Sequence, residues 1–106
     1  MELTACKLLT IVTEAALEDV LVRDIESLGA RGYTITDVRG KGRRGKRDAT
    51  WAPHANIRLE VLCDTDTARA ICMALRERYC ENYSMVMYVG DVDVLRSEKF
   101  QEKFQT

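Results

Sequence analysis

The sequence holds few of the residues from which metal sites and disulfide frameworks are built. It contains one histidine, His54, and its four cysteines include no Cys-x-x-Cys pair, so a zinc site has too few well-placed ligands. Cys72 and Cys80 lie about two helical turns apart, which is too far for a bridge within one helix. We therefore interpret the cysteines as small buried hydrophobic residues of a metal-free protein in the reducing cytoplasm.

Long apolar runs and catalytic groups are also scarce. No apolar run approaches the length of a membrane-spanning helix. The single histidine falls in a predicted loop and cannot be paired with a carboxylate. All four cysteines fall in predicted strands or helix rather than in a recognisable electropositive niche. The sequence therefore indicates a protein that is not an enzyme.

The charges are unevenly distributed along the chain. The 106 residues carry a net charge of -1 and are 46% hydrophobic, which is typical of one globular domain, residues 1–106. Residues 39–47 (Arg-Gly-Lys-Gly-Arg-Arg-Gly-Lys-Arg) hold six cations, three glycines and no acid, whereas the rest of the chain holds ten basic and seventeen acidic residues. Because nucleic-acid binders usually carry a basic face, this distribution indicates one local anion site and no nucleic-acid partner.

The basic stretch opens a long loop, residues 39–55, between two predicted strands. Its glycines allow backbone N–H groups to approach a ligand closely, and its arginines present paired donors to phosphate or carboxylate oxygens. A loop of this length is uncommon in compact domains unless it has a function. The pattern predicts an anion-binding loop for the phosphates of a nucleotide. The alternative that it leaves open is a solvated basic segment.

The loop matches the residue spacing of two nucleotide-binding motifs but not the secondary structure that they require. Gly40, Gly42 and Gly45 have the spacing of the dinucleotide fingerprint, and the stretch from Gly40 to Lys46 nearly spells a P-loop. Both motifs require a helix directly after the glycines, but the pattern predicts a strand there. The sequence therefore predicts neither a Rossmann site nor a P-loop.

Short runs of β-branched and alternating apolar residues predict four strands. The strands cover residues 6–13, 33–38, 56–63 and 84–89. A turn at Gly90 and Asp91 is expected to lead into a short segment, 92–95, and a polar tail, 96–106. The first and fourth strands are apolar on both faces.

Two amphipathic patterns predict helices. The first helix is expected to begin after Thr13 as N-cap and to end at Gly29. The second is expected to begin at Asp64 or Thr65. The predicted buried positions are Leu17, Leu21, Ile25 and Leu28 in the first helix and Ala68, Ile71, Cys72, Leu75 and Tyr79 in the second.

The order β-α-β-β-α-β predicts a ferredoxin-like α+β fold. In this fold a four-stranded antiparallel sheet carries both helices on one face. Because the first and fourth strands are apolar on both sides, the open face of the sheet is expected to be covered by another subunit.

A family resemblance rests on five segments that together extend through most of residues 6–95. They are residues 7–14 (Lys-Leu-Leu-Thr-Ile-Val-Thr-Glu), 29–34 (Gly-Ala-Arg-Gly-Tyr-Thr), 40–45 (Gly-Lys-Gly-Arg-Arg-Gly), 55–60 (Ala-Asn-Ile-Arg-Leu-Glu) and 88–90 (Tyr-Val-Gly). These segments resemble the PII signalling superfamily, and in particular its PII-like proteins linked to bicarbonate transport and carboxysomes. The resemblance implies a homotrimer that binds adenine nucleotides in three clefts between subunits. It identifies residues 39–55 as the T-loop, which contacts a membrane transporter or a carboxysome-associated protein.

The resemblance also implies site residues. Those expected to bind the nucleotide are Thr34, Gly40, Lys41, Gly42, Arg44, Arg47, Tyr88, Val89 and Gly90. Those expected to complete an anion or bicarbonate site are Arg43, Asn56 and Arg58. No permanently bound cofactor is implied.

The chain departs from classical PII proteins at two places. The T-loop lacks both the glutamine expected at the base of a nitrogen-sensing loop and a tyrosine that could be uridylylated, so sensing of nitrogen through 2-oxoglutarate is not expected. Residues 81–84 (Glu-Asn-Tyr-Ser) replace a lysine-bearing loop, which favours ADP or AMP as ligand, with ATP and cyclic AMP as alternatives. Two other functions remain as alternatives: a ferredoxin-like RNA-binding domain that uses the loop and Trp51, and a divalent-metal-tolerance trimer of the same fold.

Overall fold

The structure is a computed structural model and describes residues 2–40 and 55–95, which form four strands and two α-helices. In chain order the elements are β1 (Thr4–Glu14), a short 3-10 helix (Ala15–Leu17), α1 (Glu18–Ser27), β2 (Thr34–Val38), β3 (Asn56–Cys63), α2 (Thr65–Tyr79) and β4 (Met85–Val94). The strands form one sheet in the order β2-β3-β1-β4, and each neighbouring pair is antiparallel. The predicted ferredoxin-like α+β fold is therefore confirmed.

The core lies between the sheet and its two helices. Leu9 and Ile11 of the central strand β1 are opposite Val61 and Leu59 of β3, and these side chains are fully buried. They pack with Leu21 and Ile25 of α1 and with Ile71 and Leu75 of α2. Since side chains alternate along a strand, the other residues of β1 and β3 face away from the helices. This second surface is called the open face below.

Two predicted helix boundaries are confirmed by local geometry. Asp64 is the N-cap of α2, and its side chain accepts a hydrogen bond from the Thr67 N–H at 2.7 Å. That bond lowers the pKa of the Asp64 carboxyl, because it favours the ionised form. Gly29 follows the end of α1 with a φ of 114°, a conformation that glycine adopts without steric cost.

Two other predictions are wrong. Thr13 is not an N-cap: it lies inside β1, and α1 follows the 3-10 helix without a side-chain cap at either start. Gly90 and Asp91 do not form a turn, because β4 continues without interruption to Val94. The first half of β1 is long enough to supply backbone partners for this extension, with Leu8 opposite Gly90.

The two helices are joined by polar contacts at one end. The Tyr79 hydroxyl donates to Asp24 Oδ2 at 2.5 Å, and Arg78 Nη1 lies 3.4 Å from Asp24 Oδ1. Within residues 2–40 and 55–95, no helix is long and apolar enough to cross a membrane.

Cys6 and Cys63 are buried thiols, as the sequence predicts, whereas Cys72 and Cys80 are only half-buried. We expect Cys63 to make the protein less stable at high pH. Cys63 is 4% exposed, and its burial, together with the nearby Asp64 carboxylate, raises its pKa from 9.0 to about 11. The unfolded thiol therefore ionises first, so the contribution of Cys63 to stability is complete below pH 9 and is lost as the pH rises to 11. The expected loss at about pH 10.5 is about 2 kcal/mol.

Urea unfolding at about pH 8 and about pH 10.5 measures this loss. The Cys63→Val variant fills a similar volume without a titrating group, so its free energy of unfolding is expected to fall less than that of the wild type. Cys80→Val retains Cys63 and is expected to behave like the wild type. An equal fall in the wild type and in Cys63→Val would contradict the prediction.

Candidate functional site

The open face presents the described predicted site residues of the strands in cross-strand rows, except Val89, which is opposite Leu9 and lies on the helix side of the sheet. One row runs from Thr34 on β2 through Glu60 and Thr10 to Tyr88 on β4. The next row toward the T-loop contains Thr36, Arg58, Val12 and Val86 in the same strand order. A third row pairs Val38 with Asn56 and Asn56 with Glu14. The ends of the T-loop, at Val38 and Asn56, therefore leave the sheet beside these rows.

The predicted nucleotide-binding residues of one chain lie on opposite edges of the sheet. Thr34 belongs to the edge strand β2, whereas Tyr88, Val89 and Gly90 belong to the edge strand β4. Three strand spacings separate Thr34 from Tyr88, or about 14 Å. One chain therefore does not bring these two side chains into contact with each other.

The β4 part of the predicted site is accessible in the single chain. Tyr88 and Val89 are 54% and 45% exposed, and Gly90 is exposed as well. A Cβ atom added to Gly90 would meet nothing within 4 Å, and Gly90 is not among the described glycines with positive φ. The described part of the chain thus supplies no reason for glycine at this position. A glycine inside a strand often marks the close approach of a ligand or of another backbone.

Arg58 is the predicted anion-site residue with the most distinctive environment. It is half-buried in β3 between Thr36 and Val12, and its buried Nε has no hydrogen-bond partner among the residues that the structure describes. A buried donor without an acceptor costs about 1–3 kcal/mol. An anion or a polar group that reached this nitrogen would remove that cost.

Two of the remaining predicted residues, Gly40 and Asn56, lie at the two ends of the T-loop, and the others belong to the loop between them. Gly40 is exposed, and an added Cβ atom would meet no atom of the described residues within 4 Å. Asn56 is half-buried at the first position of β3. The other predicted T-loop residues lie outside the described part of the chain: Lys41, Gly42, Arg43, Arg44 and Arg47.

The structure also shows polar contacts near the site that the sequence analysis missed. Lys7 Nζ pairs with Asp91 Oδ1 across β1 and β4. At the other end of the same strand pair, the backbone of Ser84 contacts the side chains of Thr13 and Glu14. Both contacts join residues about seventy or more positions apart, so no local sequence pattern predicts them. Among the described residues, no group of three or more histidine, cysteine or acidic side chains is arranged to hold a metal ion.

Comparison with known proteins identifies the family. The family model of the nitrogen regulatory protein P-II matches residues 6–99 of this chain. The chain belongs to the PII family. This result confirms the resemblance that the five sequence segments indicate.

Solved structures of PII-like proteins match nearly the whole chain. A PII-like signalling protein from Thermus thermophilus is 41% identical, has a TM-score of 0.78, and is aligned over 94% of this chain and 99% of its own. CPII from Thiomonas intermedia K12, solved with ADP, AMP and bicarbonate bound, is 25% identical, with a TM-score of 0.76 over 90% of this chain and 98% of its own. CutA from Synechococcus elongatus is 13% identical, with a TM-score of 0.67 over 98% of this chain and 95% of its own, and it shares the fold alone.

Proposed function

We propose that this PII protein is a cytoplasmic signal-transduction protein that binds ADP or AMP, with bicarbonate as a second ligand. The binding sites are clefts between the subunits of a homotrimer. The T-loop, residues 39–55, transmits the ligand state to a partner in carbon uptake or in the carboxysome. The protein acts by binding rather than by catalysis, and residues 1–106 form one PII-like domain with a C-terminal tail, 96–106.

One observation carries the choice of ligand. The structure of CPII, which matches 90% of this chain, contains ADP, AMP and bicarbonate. The chain also concentrates cations suited to such anions, because six of its sixteen basic residues lie in 39–47. Glycine amides and arginine side chains together are well suited to phosphate oxygens. The acidic residue in the 81–84 segment, where classical relatives place a lysine, supports ADP or AMP rather than ATP.

The geometry of the sheet supports a site shared between two chains. A nucleotide that contacts Thr34 of one copy and Tyr88 or Gly90 of a neighbour requires the β2 edge of one sheet to approach the β4 edge of the next. The space beside Gly90 is compatible with this approach. Apolar side chains on the open face favour its burial against another copy of the chain. They are Leu8, Val12, Leu62, Val86, Tyr88 and Val92.

The proposed transmission step is a shift in the populations of T-loop conformations. Phosphates that neutralise Arg44 and Arg47 are expected to favour conformations in which these cations converge. A ligand shifts such an equilibrium only by its difference in affinity for the two states. The nucleotide and the partner protein are therefore expected to alter each other's affinity by the same factor.

Isothermal titration calorimetry tests the proposal directly. The purified protein is titrated with AMP, ADP, ATP, cyclic AMP and, as a control for base recognition, GDP, each with and without bicarbonate. We expect dissociation constants on the order of micromolar for ADP or AMP, about one site per chain, and tighter binding in bicarbonate. Absence of heat with every adenine nucleotide would contradict the proposed function.

A further inference from the structure

The end of β1 makes three contacts that hold separate parts of the chain together. Thr13 Oγ1 donates to the Ser84 carbonyl oxygen at 2.7 Å, and the Ser84 N–H donates to Glu14 Oε2 at 2.9 Å. The Ala15 N–H donates to the Ala55 carbonyl oxygen at 2.8 Å. Thus three consecutive residues of β1 and its extension contact both the segment before β4 and the point where the T-loop returns to the sheet.

Ser84 is held by side chains because the backbone ladder ends beside it. The last backbone pair between β1 and β4 joins Thr13 and Met85. Beyond this pair, both backbone groups of Ser84 are satisfied by the two neighbouring side chains of β1. The ladder between β1 and β3 continues one residue further, through the bond from Ala15 to Ala55. Glu14 therefore lies between a side-chain contact to the β4 segment and a backbone contact to the T-loop return.

We propose that Glu14 is a positioning residue that fixes residues 80–84, the turn between α2 and β4, relative to the return of the T-loop at Ala55. This inference rests on the proposed function, because the two parts that Glu14 joins carry the two halves of the nucleotide site. The 80–84 turn leads into β4 and hence to Tyr88, whereas Ala55 ends the basic loop. In this role Glu14 acts through the Ser84 N–H, which donates to its Oε2 atom, rather than through a contact with the nucleotide.

If Glu14 acts as a hydrogen-bond acceptor, the effects of substitutions at this position should depend on an acceptor oxygen and not on side-chain size or charge alone. A half-buried N–H needs an acceptor, and either a carboxylate or an amide oxygen can serve. Glu14→Gln keeps an acceptor of the same reach, whereas Glu14→Met keeps the length of the side chain without a suitable oxygen. Glu77→Gln is a matched control that removes one negative charge from the exposed side of α2 without altering Glu14.

Amide hydrogen exchange and ADP titration, both well below the unfolding temperature, test the inference. For Glu14→Met we expect exchange at Ser84 and at Ala15 to become about tenfold faster, and ADP binding to become about tenfold weaker. For Glu14→Gln and Glu77→Gln we expect changes below about threefold. If Glu14→Met does not fold, Thr13→Val removes the other side-chain contact to Ser84, and the same two amides are expected to exchange faster.

The two measurements separate this inference from the proposed function. If the wild type does not bind ADP, the proposed function fails, and exchange at Ala15 alone decides whether Glu14 couples the turn to the loop return. Faster exchange at Ser84 with unchanged exchange at Ala15 would overturn the coupling. Unchanged ADP affinity in Glu14→Met, with both amides exchanging faster, would overturn the positioning role.

Discussion

The Arg44→Ala variant is expected to bind ADP about 10- to 150-fold more weakly than the wild type, a loss of about 1.5–3 kcal/mol. Arg44 lies at the T-loop position where the family resemblance places the phosphates. A guanidinium donates charged hydrogen bonds to phosphate oxygens, and such bonds are stronger than neutral ones. Alanine removes both the donors and the charge, so the loss exceeds that of a neutral contact.

A matched control separates this local contact from the general effect of a positive loop. Arg39 lies at the start of the same loop, is exposed, and has no assigned role in the site. Arg39→Ala removes the same charge, and we expect its ADP affinity to change less than about threefold, through long-range electrostatics alone. Calorimetric titration of both variants at two salt concentrations measures the difference. Equal affinities for Arg44→Ala and the wild type would exclude Arg44 from the site.

The Gly90→Val variant is expected to lose more than about 100-fold in ADP affinity while the protomer keeps its fold. Valine favours strands, and an added Cβ atom at this position meets no atom of residues 2–40 or 55–95 within 4 Å. In the proposed cleft, however, the same space is filled by the nucleotide or by the neighbouring backbone. Gly32→Val is the matched control, because Gly32 also has no atom within 4 Å of an added Cβ and has no assigned role in the site.

Circular dichroism, mass in solution and ADP titration together measure this outcome. Unchanged secondary structure with lost ADP binding supports a close approach at Gly90. ADP affinity equal to that of the wild type would show that nothing approaches this part of β4, and the cleft would have to lie elsewhere.

Mixing the two variants tests whether each site is built from two chains. Arg44→Ala damages the loop side of a cleft, and Gly90→Val damages the β4 side. In trimers assembled at random from equal amounts of both chains, about one cleft in four combines two undamaged sides. Coexpression is therefore expected to restore about a quarter of the ADP sites, whereas a site formed within one chain would show no recovery.

Much of the fold follows from local patterns in the sequence. The alternation in Asn56–Cys63 matches β3 residue for residue, because an inward apolar side chain at every second position is a property of the strand itself. Gly29 and Asp64 mark helix boundaries for similarly local reasons. The prediction for Thr13 was wrong because a threonine before a helix has the sequence pattern of an N-cap wherever its hydroxyl points. In the structure this hydroxyl donates to a carbonyl oxygen 71 positions away.

The β4 boundary could not be predicted from its own residues. Glycine followed by aspartate is a common turn signal, and it stands in the middle of the strand. The length of the strand is set by its partner, since β1 begins at Thr4 and pairs with β4 as far as Val94. The backbone hydrogen bonds of β1 outweigh the local preference of Gly90 for a turn.

The sequence by itself determined the fold class, the family and the concentration of cations in residues 39–47, because these depend on periodicity, motif and composition. The tertiary structure decided how those parts meet. Strand order and register place Thr34 and Tyr88 on opposite edges of the sheet, leave space beside Gly90, and bring Glu14 to Ser84. These relations depend on pairing between segments distant in the chain, and pairing is a property of the assembled sheet rather than of any one segment.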